Sequence, residues 1–207
     1  ALIRLDSMKR KGKSEDPLCF PLEPARNIYI SCYPSGGISE YTAFFGILGQ
    51  AMSYAHTGYE DDFEFKFLRE KALTEIFSLI FGNLVYEPAW INKHLGTETA
   101  GDALRMPNLH NLLSARLDAA LLIYQSAVFG SADRTSLPSD YTHVIKSAIR
   151  CVPFEHNYIT GIDFGLKYPA RFKALTLWPG LSSYLKETFD EQWWRSPGAG
   201  EFLKSLY

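Results

Sequence analysis

The sequence predicts a mainly α-helical chain with a small β-hairpin near its N-terminus. Three observations carry that expectation. Apolar residues recur at three- and four-residue spacing through most of the chain after residue 38, strict apolar–polar alternation is confined to residues 27–33, and the glycines and prolines fall largely between long periodic segments. The 207 residues are 46% hydrophobic and 14% aromatic. That is enough to bury a sizeable core and is incompatible with a disordered or collagen-like chain.

Residues 1–16 are expected as a flexible lead-in, polar and charged from Asp6 onward and closed by Pro17, with one domain over 17–207. Leu18–Leu22 and Asn27–Tyr33 follow as extended runs joined by Glu23-Pro24-Ala25-Arg26. The second alternates Ile28, Ile30 and Cys32 with Tyr29, Ser31 and Tyr33, which makes a hairpin with one buried face. Pro34-Ser35-Gly36-Gly37 is a turn, and Ser39 suits the N-cap of a helix reaching about His56, with Phe44, Leu48, Ala51 and Ala55 on its stripe. Gly46 and Gly49 inside this helix each cost about 1 kcal/mol relative to Ala, so they imply a close packing contact. A second long helix is expected over Asp61–Val85, with Phe65, Leu68, Ala72, Ile76 and Leu79 on one side. Trp90–Leu95 reads as a short helix closed by Gly96. Helices at Asn108–Phe129, Tyr141–Arg150, Leu181–Asp190 and Gly198–Leu206 complete the chain, with Trp193-Trp194 as core anchors.

The charge balance, 21 Lys+Arg against 23 Asp+Glu for a net −2, supplies no global field for a polyanion, although Lys9-Arg10-Lys11 and Lys13 form a local basic run. No nucleic-acid partner is expected. No membrane partner is expected either, since even Ala119–Phe129 is interrupted by Gln125 and Ser126 before reaching the roughly 18 apolar residues of a spanning helix. Cys19, Cys32 and Cys151 are too few for a disulfide framework, which points to a reducing, cytoplasmic setting. Cys19 and Cys32 stand on either side of the hairpin turn, where a cross-strand pair is conceivable and two packed thiols are preferred. The opening Ala1-Leu2-Ile3-Arg4-Leu5 has neither an initiating Met nor a signal-peptide layout, as a piece of a longer chain would.

Strand, Gly-Gly turn, long helix and second long helix is the layout of a gluzincin metallopeptidase, in which His-Glu-x-x-His on the first helix and a carboxylate on the second hold zinc. The stretch from Pro34-Ser35-Gly36-Gly37 through Glu40-Tyr41 to His56 resembles the catalytic segment of M3-family peptidases, the thimet oligopeptidase and oligoendopeptidase F group. This similarity extends over roughly residues 17–207 and implies a zincin-like catalytic region. It places the zinc motif on Gly46-Ile47-Leu48-Gly49-Gln50. The family's third ligand, a Glu 25 residues past the second His, falls on Glu75. The late segment that supplies a His and three tyrosines for substrate and oxyanion falls on His156, Gly161, Gly165 and Tyr168.

The resemblance therefore implies a frame kept and a chemistry lost. Gly46 has no side chain, Gln50 offers a neutral amide, and Glu75 alone could ligate zinc, whereas a catalytic site needs three protein ligands and a water. On its own helix pattern, in the polar sector with Lys71, Ser78 and Glu64, Glu75 reads as a solvated or paired carboxylate, and only the 25-residue spacing marks it as a ligand. Ile47 stands where the general base would be, and two of the three tyrosine positions are Gly. His56, six residues past Gln50, points away from the motif. No cofactor is expected, the family's zinc being lost. The expected function is that of an inactive pseudopeptidase with a peptide- or protein-binding or assembly role. The peptide or protein would lie along Asn27–Tyr33, or the partner would be a second copy or a separate helical domain. The alternative is a zinc metallopeptidase with a rebuilt site.

Overall fold

The computed structural model describes residues 2–68, 70–96, 100–130, 133–165 and 167–206. The chain divides into two compact units, Ala1–Ala100 with Thr176–Tyr207 and Gly101–Leu175, where the sequence suggested one domain. It is mainly helical, with a small three-stranded sheet near the N-terminus.

In the first unit, β2 (Leu18–Glu23) and β3 (Asn27–Ser31) form the expected antiparallel hairpin, with a register shift between Pro21 and Glu23 and Ala25 left-handed in the turn at φ 68°. Ile28 and Ile30 are fully buried and pack with Ala51. The sheet has a third member, β1 (Leu2–Asp6), which runs parallel to β3 and pairs Leu2 with Asn27 through Asp6 with Ser31. Part of the expected lead-in is thus a strand. Ile3 joins the Ile28–Ile30 core, and within the charged run Asp6 and Lys13 are shielded on a local clip while Arg10 stays exposed. Arg10 donates to Asp6 at 2.5 Å, the Met8 N–H donates to the same carboxylate at 3.1 Å, and Lys13 Nζ donates to the Asp6 carbonyl at 2.7 Å. The Arg10 guanidinium first, with Lys13 and the Met8 amide, holds the Asp6 carboxyl far below the usual carboxylate range.

α1 (Ile38–Ala55) begins one residue before Ser39, which does not cap it. Glu40 instead folds back to accept from the Ser35 N–H at 2.7 Å and from the Gly36 N–H. The single helix expected over Asp61–Val85 is two, α2 (Phe63–Phe67) and α3 (Lys71–Leu84). Glu70 makes the break, its side chain accepting from the Ala72 N–H at 3.1 Å as the N-cap of α3. α4 (Pro88–Leu95) ends on Gly96 in the left-handed region, as its sequence indicates.

The second unit holds α5 (Ala100–Gly130), α6 (Leu137–Ile149), a 3-10 turn at Glu155–Tyr158 and the first part of α7 (Lys167–Phe189). Ala120, Leu121, Tyr124, Val128, Leu137, Tyr141 and Ile145 form its core. Within α5, Pro107–Gly130 is long and apolar enough to cross a bilayer by length and composition alone, a pattern that core helices share. The later part of α7, a 3-10 turn at Trp193–Arg195 and α8 (Pro197–Lys204) belong to the first unit. There Trp193 is buried edge-on to Phe81 at 6.2 Å and acts as the expected anchor.

Candidate functional site

The positions singled out on α1 and α3 meet where those helices pack. A β-carbon on Gly82 would lie 3.1 Å from the Thr42 carbonyl oxygen, one on Gly46 would lie 3.0 Å from Ser78 Oγ, and one on Gly49 would lie 2.4 Å from the Phe77 carbonyl oxygen. As α1 advances its partners on α3 recede, so the two helices are antiparallel, and the same register sets Gln50 and Glu75 on facing turns. Gly46 and Gly49 thus meet Ser78 and Phe77 at this crossing, with Gln50 and Glu75 within a turn of it along their own helices. The two motif glycines have a packing reason of unequal strength: at Gly49 the α3 backbone approaches too closely for a β-carbon, whereas at Gly46 the nearest atom is the Ser78 hydroxyl.

This crossing does not fit zinc. An imidazole at position 46 would start from a β-carbon already in contact with Ser78. The donors present are an amide and one carboxylate, while zinc calls for three protein ligands and an open position. Ile47, at the general-base position, is half-buried in the cluster around Ile28 and Ile30 and brings only hydrocarbon. Gln50 is half-buried, and its main-chain carbonyl oxygen accepts from Ser53 Oγ at 2.8 Å.

His156 and Tyr168 belong to the second unit. His156 is exposed in the 3-10 turn, whereas Tyr168 is half-buried against the core around Tyr124 and Tyr141. Burial first, then the nearby carboxylates of Asp163 and Asp118, push the Tyr168 phenol up. Gly161 has its own packing reason, since a β-carbon there would lie 2.9 Å from the Tyr141 ring. The other histidines are engaged or apart. His56 Nδ1 lies 2.9 Å from the Met52 carbonyl, and the His94 ring lies 4.8 Å from that of Trp90. Among the described residues no three His, Cys, Asp or Glu side chains gather in a metal-binding group.

The sequence reading missed the most polar feature of the second unit's interior. Asp118, 4% exposed in the apolar middle of α5, faces Arg171 Nε at 3.3 Å. Burial pushes its carboxyl up, against the pull of Arg171 and Lys167. Seven residues on, the buried Gln125 accepts from the Asp163 N–H at 3.2 Å. The only sequence signal was a carboxylate inside an apolar helical run, which names no partner.

The strand expected to offer an edge to a peptide is the central one. β3 is paired with β1 on one side and β2 on the other, and the Cys32 N–H beyond it donates to the Asp6 carbonyl at 3.0 Å. Asn27–Ser31 therefore has no open ladder for strand addition, because the chain's own residues 2–6 fill it. Cys19 and Cys32 are thiols rather than a disulfide, and Cys19 stands opposite Ile30, out of register with Cys32.

No family model, no curated protein and no solved structure matches the chain.

Proposed function

We propose that the chain is a catalytically inactive relative of M3-type zinc peptidases, in which the former metal-bearing helix pair has become a structural joint. One observation supports this reading above the others. The motif positions Gly46 and Gly49 lie where α1 crosses α3, the helix that carries Glu75, and that crossing is closed by contacts with Ser78 and Phe77 instead of being open around a metal. The scaffold's remaining use is to hold surfaces for protein or peptide partners, which need no metal.

The test is zinc content by elemental analysis, on protein purified without an affinity metal and again after incubation with zinc and dialysis. The expected result is far below one zinc per chain in both samples, with no peptide hydrolysis. One zinc per chain, lost in Glu75→Gln, would overturn the proposal in favour of a zinc metallopeptidase with a rebuilt site. Ancestry has its own arm: combining Gly46→His, Ile47→Glu and Gln50→His with Ser78→Ala, which clears the nearest contact, should create zinc uptake that depends on Glu75. A folded quadruple variant that takes up no zinc would sink the family reading.

A further inference from the structure

The least satisfied surface of the first unit lies in the connection between α1 and α3, at α2. None of the five residues of this helix is buried, yet three are phenylalanines, with Phe63 62% and Phe65 67% exposed. Five residues are too few to hold a helix through hydrogen bonds alone, and exposed aromatic surface of this kind marks a place where something docks. Phe63 and Phe67 are stacked one turn apart with ring centroids 4.9 Å apart. They form one wall of a cleft of about 490 Å³ whose other walls include Leu22, Pro24 and Tyr59.

The charges around the cleft say what kind of partner fits. Glu60, Asp61, Asp62 and Glu64 flank Phe63 in sequence, and Glu23 borders the cleft from the end of β2. Glu23 and Glu60 line the cleft itself, and among the described residues Arg26 and Lys66, the cations placed beside it, are both engaged. The Arg26 guanidinium lies 3.4 Å from the Tyr59 ring centroid and 3.6 Å from Glu23, and Lys66 Nζ sits 5.4 Å from the same ring. An anionic bilayer would be repelled by this rim, and a neutral apolar partner would leave the carboxylates uncompensated.

We infer that the cleft beside α2 is a docking site for a basic, amphipathic peptide segment of another protein. Its apolar side chains enter between Phe63, Phe67 and Leu22, and its lysines or arginines meet the acidic rim. The aromatic wall supplies the affinity and the carboxylates the selectivity, since rim charges act mainly on encounter and discrimination while buried aromatic contacts carry most of the binding free energy.

The experiment uses the full chain and two labelled probe peptides read by fluorescence anisotropy. One alternates leucine and lysine at helical spacing; the other is the same peptide with glutamate for lysine. The leucine–lysine peptide should bind, weaken as salt is raised, and lose about tenfold in affinity in the Phe63→Ser/Phe67→Ser variant, while the leucine–glutamate peptide should not bind. Both phenylalanines are solvent-exposed, so circular dichroism should find the variant folded. Glu60→Lys/Asp62→Lys, which leaves the aromatics in place, should reverse the preference between the peptides. Equal binding of both probes, or leucine–lysine binding untouched by either double variant, would overturn the inference. So would a dimer in sedimentation that only the serine variant dissociates, which would assign the patch to a second copy, or vesicle binding by the same patch, which would assign it to a membrane.

Discussion

Lys186, in the last turn of α7, donates to Glu87 at 2.6 Å, and Glu87 is the N-cap residue of α4. The pair joins residues 99 apart in sequence, and both side chains are largely shielded, so it closes a long loop within the first unit. Lys186→Met keeps the stem and removes the charge, and should lower unfolding stability by about 1 kcal/mol, the range of a partly shielded ion pair. Urea denaturation of the variant checks it, with Lys204→Met as the exposed control that should change almost nothing.

The two glycines of α1 should respond unequally to the same substitution. In Gly49→Ala the new carbon meets a backbone carbonyl that cannot step aside, and a cost of about 1–3 kcal/mol should override the propensity gain of about 1 kcal/mol. At Gly46 the nearest atom is the Ser78 hydroxyl, which can rotate away, so Gly46→Ala should be milder. Equal midpoints for the two variants would mean that α1 and α3 pack less tightly than these distances.

Acid titration should separate two carboxylates of opposite sign. The N–H groups of Gly36 and Ser35 hold Glu40 below its ordinary 4.5, so its contribution is present above 4.5 and is lost as pH falls through the lower folded value. Glu40→Gln should abolish that acid-side loss. Burial holds Asp118 above its ordinary 3.8, so the folded chain keeps that proton longer than the unfolded one. Its stability is then lost as pH rises from 3.8 through the raised value. Asp118→Asn should therefore gain on the parent protein across that window, read as urea midpoints from about pH 3 to about pH 7.

The thiols give a fast check on the sheet. Cys151 is exposed, Cys32 is buried, and burial pushes the Cys32 thiol up, so little of it is thiolate near neutral pH. A chromogenic disulfide reagent should titrate Cys151 rapidly in the native protein and Cys32 only on unfolding. Rapid modification of the remaining Cys32 in a Cys19→Ser/Cys151→Ser variant would contradict its burial at the end of β3.

What was legible in the sequence was local. The alternation of residues 28–32 marked β3, and two glycines inside a helix marked a close crossing, because each is a cost that only packing removes. The break at Glu70 was hidden by an apolar pattern that continues from Phe65 through Leu68 to Ala72 across the gap, although the cap changes the helix. The short helix expected over Leu181–Asp190 is the end of α7, which starts at Lys167 and runs through Pro179. β1 was hidden because five residues followed by a charged run look like a tail until Asp6, Arg10 and Lys13 are seen closing on one another. The ion pair of Asp118 with Arg171 could not be read at all, since nothing in either neighbourhood points to the other.

Pro21 lies on β2, an outer strand, and has no N–H to offer, while the register shift beside it bends the same margin. Neither device is present on β1, where Leu2 and Leu5 are each 53% exposed. The sheet thus has one blunted side and one on which a further strand could be laid down. Aggregation of concentrated protein by sheet extension should be one-sided, nucleating on residues 2–6. A single lysine at Leu5, outside the core and away from the docking cleft, should raise solubility while leaving the fold as it is.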